Sequence, residues 1–161
     1  MIDLSILPLL KGQKALVTGI ANDQSIAYGC AKAFRTFGAD LAITYLNEKA
    51  KKFVEPLAKE LQASIFMPLD LQVEGQLEAI FEQIEKQWGK LDICLHSIAF
   101  CPKADLQGRV VDCSKEGFLL AMEVSCWSFI RMAKLAEPLM TDGGTLSTMT
   151  YYGSQMVVEN Y

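Results

Sequence analysis

Short apolar runs alternate with longer amphipathic segments along most of the chain. Five runs, at 14–19, 40–45, 64–70, 91–98 and 143–150, have the length and composition of buried strands. Between them, apolar residues recur every three or four positions, which is the spacing of helices that cover a core. The alternation predicts a parallel sheet with helices on both faces, because parallel strands need long crossover connections.

The crossovers also predict the order of the strands. Right-handed connections in a doubly wound α/β fold of the Rossmann type place the first strand centrally, in the order 3-2-1-4-5. We expect residues 1–161 to form the dinucleotide-binding part of one such domain. Ligands of these sheets bind beyond the carboxyl ends of the strands, where the order reverses. Candidate site residues therefore follow Val17 and Leu95.

Capping and breaking signals predict where the helices begin and end. Asn47 is placed to cap the second helix, and Pro56 inside it is expected to kink it or cut it short. Asp70 is a candidate cap for the third helix. A single long helix is expected from Ser114 to a point near Pro138.

Composition excludes several function classes. The net charge is −4 with acids and bases interspersed, whereas nucleic-acid binding needs a concentrated basic face. The chain has one histidine and no cysteine pair with ligand spacing, so we expect no metal site. No apolar run approaches the ~18 residues that span a bilayer, which predicts no membrane association. Five cysteines without a C-x-x-C motif indicate reduced, mostly buried thiols in a cytoplasmic protein.

The loop after the first strand has features of a phosphate site. Gly19 permits a tight turn and a close approach of the backbone, and Ser25 stands where a helix cap belongs. Free N–H groups and the helix dipole would then favour a pyrophosphate. The usual G-x-G-x-x-G is not matched, so a capped helix after a glycine turn is the competing interpretation.

The ends of the next strands favour NADH over NADPH. A dinucleotide fold usually places an acid after the second strand for the ribose hydroxyls, or an arginine for a 2′-phosphate. Here the strand is followed by Leu46 and Asn47, and the first base is Lys49. Asp70 could flank an adenine or serve as a cap alone. His96, inside an apolar strand, is interpreted as structural rather than catalytic.

Two tyrosines, Tyr151 and Tyr161, follow the fifth strand. A phenol with its usual pKa near 10 is a poor acid, but it is useful when its O–H faces a developing oxyanion. The competing interpretation is that both tyrosines only pack or face solvent.

These motifs together resemble those of the bacterial enoyl-[acyl-carrier-protein] reductases, a divergent branch of the short-chain dehydrogenases/reductases. The resemblance runs from about Leu10 to Tyr161 and rests on T-G-I-A-x4-S-I-A-Y-G, L-A-I-T-Y, H-S-I-A-F, T-Y-Y-G and the final E-N-Y. It implies reduction of a trans-2-enoyl thioester on acyl carrier protein, by hydride transfer from NADH to the β-carbon. The implied cofactor-binding residues are Gly19, Ser25, Ile26, Asp70, Leu71, Ser97, Ile98 and Ala99.

The resemblance also implies catalytic roles. Tyr161 would hydrogen-bond the enolate oxygen that forms after hydride transfer, and Tyr151 would be the second active-site tyrosine. The family's catalytic lysine lies about two helical turns beyond its tyrosine, which is past Tyr161 here. We therefore expect that the C-terminal part of the domain is missing and that residues 1–161 alone have little or no reductase activity. A homotetramer is the family's usual assembly.

Two other functions remain open. In a carbonyl or alcohol reductase of the same superfamily, Thr148 would act beside Tyr161 in place of a serine. In a non-catalytic nucleotide-binding protein, NADH would bind without turnover of an enoyl substrate.

Overall fold

The fold was analysed in a computed structural model, which describes residues 8–158. Five parallel strands form one sheet in the order β3-β2-β1-β4-β5, so the predicted α/β class and strand order are confirmed. The register is continuous across the centre, where Leu16 of the first strand lies between Ala42 and Cys94. The strands are β1 (Lys14–Val17), β2 (Asp40–Tyr45), β3 (Ile65–Pro68), β4 (Ile93–His96) and β5 (Thr145–Thr148).

Helices connect the strands and cover the sheet. Short 3₁₀ turns lie at Val110–Asp112, Glu137–Leu139 and Tyr152–Ser154. The α-helices are α1 (Ile26–Thr36), α2 (Glu48–Glu60), α3 (Gln76–Trp88), α4 (Lys103–Leu106), α5 (Lys115–Met122) and α6 (Ser128–Ala136).

The sheet separates two hydrophobic cores. Along β1, Ala15 and Val17 pack in the core with α1 and α2, whereas Leu16 packs in the opposite core with α3 and α6. This alternation is the two-residue period of a strand whose faces are both covered. All three side chains are fully buried, so β1 is the common wall of both cores.

The second helix matches its predicted cap but not its predicted interruption. The Asn47 side-chain oxygen accepts a hydrogen bond from the Ala50 N–H at 3.0 Å, as expected of an N-cap. Of the two expectations for Pro56, a kink or a shortened helix, the shortened helix is wrong, because α2 continues through Pro56 to Glu60. Pro56 lies on the exposed face, so the carbonyl left without a partner one turn earlier can bond water instead.

The predicted single helix after Ser114 is two α-helices joined by one turn of π-helix, Glu123–Trp127. At its end, the Ser128 hydroxyl donates to the Val124 carbonyl at 2.7 Å. Such turns insert a residue into a helix and often mark functional regions. Periodicity alone missed it, since apolar residues recur on both sides of the turn.

Asp70 does not cap α3, contrary to expectation. The N-cap position is Gly75, whose φ of 82° favours glycine. Asp70 instead closes the preceding turn, where its Oδ1 accepts from the Gln72 N–H at 3.0 Å. Its own N–H donates to the Gln76 side chain, so it links β3 to the start of α3.

The cysteines are less buried than their apolar surroundings in the sequence suggest. Cys94 is fully buried, and that burial raises the pKa of its thiol to about 12. Cys126, in the π turn, is exposed. The expectation of mostly buried thiols is therefore wrong for this chain: Cys30, Cys101 and Cys113 are partly exposed.

Candidate functional site

A cleft of about 230 Å³ lies beyond the carboxyl ends of the central strands, where the strand order reverses. Its walls come from the segments that follow β1, β2 and β4, and from Leu69 after β3. The structure thus brings together most of the predicted cofactor-binding segments. Prominent lining residues are Gly19, Ile20, Leu46, Ser97, Ile98 and Ala99.

Gly19 lies where the first and fourth strands meet. Just before it, the buried Thr18 donates to the Leu95 carbonyl through both its N–H and its hydroxyl, each at 3.0 Å. A Cβ built on Gly19 would lie 1.8 Å from the Ser97 carbonyl oxygen, and its φ is 86°. The glycine predicted for a close approach is therefore needed first for contact between two strand ends. That contact sets the floor of the cleft.

Ser25 occupies the N-cap position of α1, but its hydroxyl does not cap the helix. The hydroxyl oxygen instead accepts from the N–H groups of Ala21 and Asn22, at 3.0 and 3.1 Å. It therefore braces the loop between Gly19 and α1. The first turn of α1 contains no acidic side chain and begins at Ile26, so the helix dipole there is not offset by a carboxylate.

Asp70 and Leu71 lie one and two residues beyond Leu69, the residue through which this part of the chain lines the cleft. Leu71 is partly buried against the core of α3 and α6. The residue that lines the cleft here is therefore Leu69, which comes just before the predicted pair Asp70 and Leu71. Contact of Asp70 or Leu71 with an adenine stays a prediction.

The end of β2 provides an apolar wall. Leu46 lines the cleft and is half exposed. Lys51 lies nearby, but its Nζ is 3.5 Å from a Glu48 carboxylate oxygen and 5.5 Å from the centre of the Tyr45 ring. The Glu48 carboxylate is the main reason that the pKa of Lys51 is raised. This lysine is engaged locally in the described structure.

His96, the last residue of β4, is fully buried. Its Nε2 lies 2.8 Å from the Ser128 hydroxyl and its Nδ1 lies 3.3 Å from the Thr148 hydroxyl. Burial lowers the pKa of the imidazole below its usual value, which favours the neutral ring. The environment matches the predicted structural role for His96.

The segment after β5 carries the first of the two predicted tyrosines. Tyr151 is about half exposed, at 54%. Its ring lies against Gly153, where an added Cβ would be 2.6 Å from a ring carbon. Tyr161 lies outside the described residues.

Sequence reasoning missed a contact between the fourth-strand segment and the π turn. The Ser125 hydroxyl donates to the Phe100 carbonyl at 3.2 Å and accepts from the Phe100 N–H at 3.0 Å. The available signal was a serine within a largely apolar helical segment, because its hydroxyl can both donate and accept a hydrogen bond. The contact borders a second cavity of about 480 Å³, which shares Ala99 with the cleft.

Residues 8–158 contain no group of three or more histidine, cysteine, aspartate or glutamate side chains that could hold a metal ion. Over the same range, no helix has both the length and the apolar character of a membrane span.

Comparison with known proteins gives one consistent family. The sequence profile described as Enoyl-(Acyl carrier protein) reductase matches residues 19–161. The chain is 42% identical over 153 residues to enoyl-[acyl-carrier-protein] reductase [NADH] 2 of Rhizobium meliloti, covering 95% of this chain and 57% of that protein. It is also 42% identical to the NADH enzyme of Aquifex aeolicus, with the same two coverages. The chain thus spans less than two thirds of the length of these relatives.

Solved structures agree. The enoyl-(acyl-carrier-protein) reductase of Anaplasma phagocytophilum, determined in complex with NAD, has a TM-score of 0.89 and 44% identity, covering 94% of this chain and 58% of that one. The Bacillus cereus enzyme with NADP⁺ and an indole naphthyridinone has a TM-score of 0.90 and 41% identity, covering 95% and 60%. This chain therefore belongs to the enoyl-[acyl-carrier-protein] reductase family.

Proposed function

We propose that the full encoded protein is an NADH-dependent enoyl-[acyl-carrier-protein] reductase of fatty acid synthesis. The observation that carries the proposal is the cleft at the strand-order reversal, closed at its floor by the contact between Gly19 and Ser97. The floor is formed by backbone, which suits the close approach of a dinucleotide. Relatives of this sequence that are named NADH-dependent reductases support the same chemistry.

The described residues fit a dinucleotide. The first turn of α1, without a carboxylate, would receive the pyrophosphate, while the Ser25 hydroxyl holds the preceding loop in shape. Ser97, Ile98 and Ala99 would line the path toward the nicotinamide. When bound, NADH supplies the hydride that reduces the β-carbon of the enoyl thioester. Ile26, Asp70 and Leu71 remain proposed contacts.

The two tyrosines would act on the thioester end of the substrate. Reduction at the β-carbon develops negative charge on the thioester oxygen, and a phenol aimed at that oxygen stabilises it. We assign this donor to Tyr161 and a supporting role to Tyr151. Tyr151 follows β5, the strand beside β4, so its backbone enters the site from the side of Ser97 and Ala99.

The wall after β2 favours NADH over NADPH. Leu46 offers no charge to a 2′-phosphate, and the Nζ of Lys51 is engaged with Glu48 and the Tyr45 ring. A 2′-phosphate would need a cation at this position. Because the related Bacillus cereus enzyme was solved with NADP⁺, initial rates with both coenzymes are the direct comparison.

The substrate partner, assembly and compartment are also proposals. An enoyl thioester on acyl carrier protein is the substrate that the relatives' names support. We propose a cytoplasmic location and a homotetramer, and the homotetramer is consistent with the exposed apolar side chains of α5, α6 and the π turn between them. These include Phe118, Leu119, Met122, Trp127 and Ile130, each more than 40% exposed.

The carbonyl-reductase alternative fits the structure less well. It needs the Thr148 hydroxyl beside the catalytic tyrosine, yet that hydroxyl lies 3.3 Å from His96 Nδ1. If the hydroxyl donates to Nδ1, its proton is not available to a substrate carbonyl. Only a measurement of substrate turnover distinguishes the reductase from a protein that binds NADH without catalysis.

Steady-state reduction of crotonyl thioester by the full encoded protein tests the proposal. We expect NADH-dependent turnover, and we expect Tyr161→Phe to lower kcat about 10²- to 10³-fold, because one oxyanion donor is removed. Tyr152→Phe is the matched control, since Tyr152 is 67% exposed and should leave kcat unchanged. Reduction of ketones alone would favour the carbonyl reductase, and NADH binding without any turnover would favour the non-catalytic protein.

A further inference from the structure

The hydrogen bonds around the buried His96 ring show which of its two nitrogens carries the proton. The Ser128 oxygen lies 2.7 Å from the Val124 carbonyl oxygen, which can only accept. The serine proton must therefore lie between these two oxygens. At 2.8 Å from Nε2, the serine oxygen is then left with a lone pair for an N–H. This requires the ring proton on Nε2.

The assignment at Nε2 settles the role of the other nitrogen. A neutral imidazole with a proton on Nε2 has a bare Nδ1, which is an acceptor. The Thr148 hydroxyl, 3.3 Å away, can donate to it. His96 thus bonds to the π turn through one nitrogen and to the last residue of β5 through the other.

The backbone strengthens the same junction. His96 is the register partner of Thr148, and its carbonyl accepts from the Met149 N–H at 3.2 Å. Side chain and backbone of one residue therefore hold two successive residues of the chain. Tyr151 is two residues beyond the second of them.

We propose that His96 is a positioning residue: through the Thr148 hydroxyl it fixes the end of β5 and thereby the place from which Tyr151 enters the site. The inference rests on the proposed function only where it predicts an effect on kcat. The pairing itself, and its effect on Tyr151, are properties of the folded protein that can be measured without substrate.

The first measurement determines the protonation state and tautomer of the His96 ring. In the full encoded protein labelled with ¹³C/¹⁵N-histidine, the His96 signals are those lost in His96→Gln. We expect them to report a neutral ring with the proton on Nε2 at neutral pH. Thr148→Val, which removes the hydroxyl but keeps the shape, should shift the Nδ1 resonance, and Thr148→Ser should restore it. A proton on Nδ1, or an imidazolium, would overturn the proposal.

The second measurement follows the environment of the Tyr151 side chain. With fluorotyrosine incorporated and the resonance of residue 151 assigned through Tyr151→Phe, Thr148→Val should shift or broaden that resonance. Thr145→Val is the matched control, because Thr145 is an exposed residue at the opposite end of the same strand. Equal spectra for the two valine variants would show that Thr148 does not position Tyr151.

The kinetic arm separates positioning from loss of folding. We expect Thr148→Val to lower kcat roughly three- to tenfold, the size of one hydrogen bond. The KM for NADH should change less than twofold, because the cofactor cleft lies on the other side of β4. Thr148→Ser should recover kcat, and melting temperatures confirm that each variant is folded. If the protein reduces no enoyl thioester, the proposed function fails, but the two spectroscopic results still decide this inference.

Discussion

At the scale of single residues, the candidate site depends on groups that shape backbone rather than on exposed functional side chains. Gly19 allows two strand ends to touch, and Ser25 holds a loop through two N–H groups. The sequence indicated both positions but attached a ligand role to each. The structure shows the packing role that precedes it, which a local string cannot reveal because the partner Ser97 is far along the chain.

Gly19→Ala should be strongly destabilising. Its Cβ would lie 1.8 Å from the Ser97 carbonyl oxygen, so strands or loop must shift. The left-handed φ of 86° adds about 1–3 kcal/mol for a non-glycine residue. Urea unfolding measures the loss, and thermal protection by NADH measures the damage to the cleft.

Gly12→Ala is the matched control for this substitution. Gly12 has a similar φ of 83°, but an added Cβ would meet nothing within 4 Å. The two variants therefore share the backbone strain and differ in the clash. Equal losses of stability would mean that the approach to Ser97 does not matter.

At the scale of elements, the strands and the start of α2 were predictable, whereas the start of α3 and the irregular joints were not. Asn47 was identified as a cap from its residue type and place, since local chemistry decides capping. The π turn and the continuation of α2 through Pro56 depend on tertiary neighbours and on which face meets water. The cap of α3 at Gly75 was missed because Asp70 bonds within a turn instead.

Asn47→Ala should reduce the free energy of unfolding by about 0.5–2 kcal/mol, because the Ala50 N–H loses its acceptor. Chemical denaturation gives the value. Asn47→Asp keeps an acceptor oxygen and should stay close to the parent. A comparable loss in both variants would indicate that the side chain contributes something other than the cap.

At the scale of the whole molecule, the fold class and strand order were predictable from periodicity and crossover handedness. Which residues after each strand line the cleft was less predictable. Leu69, the first residue after β3, lines the cleft, whereas the sequence pointed to Asp70 and Leu71 just beyond it. The roles of Tyr151 and Tyr161 come from the family resemblance, not from periodicity, and they stay predictions.

Stability should depend on pH through His96. Burial lowers its pKa in the folded protein, so below the unfolded value near 6.5 the unfolded chain takes up a proton that the folded ring resists. The free energy of unfolding should therefore decrease as the pH falls from 7 through about 6.5 toward the lowered pKa. Denaturation at several pH values measures this slope.

His96→Gln should flatten that slope, provided the variant folds. The carboxylates of Asp105 and Glu55 act in a separate window, because their pKa values are lowered and any loss from them comes at more acidic pH. A slope between pH 7 and 5 that is unchanged in the glutamine variant would exclude His96 as its source.

The sharing of β1 by both cores has a consequence for motion. If Ala15 and Val17 belong to one core and Leu16 to the other, neither layer of helices can detach without disturbing the same four-residue strand. Amide hydrogens of β1 should then exchange with solvent only when the entire domain opens. Gly19 lies two residues beyond β1, so we expect the end of the cleft formed by Gly19 and Ser97 to open only together with the whole domain.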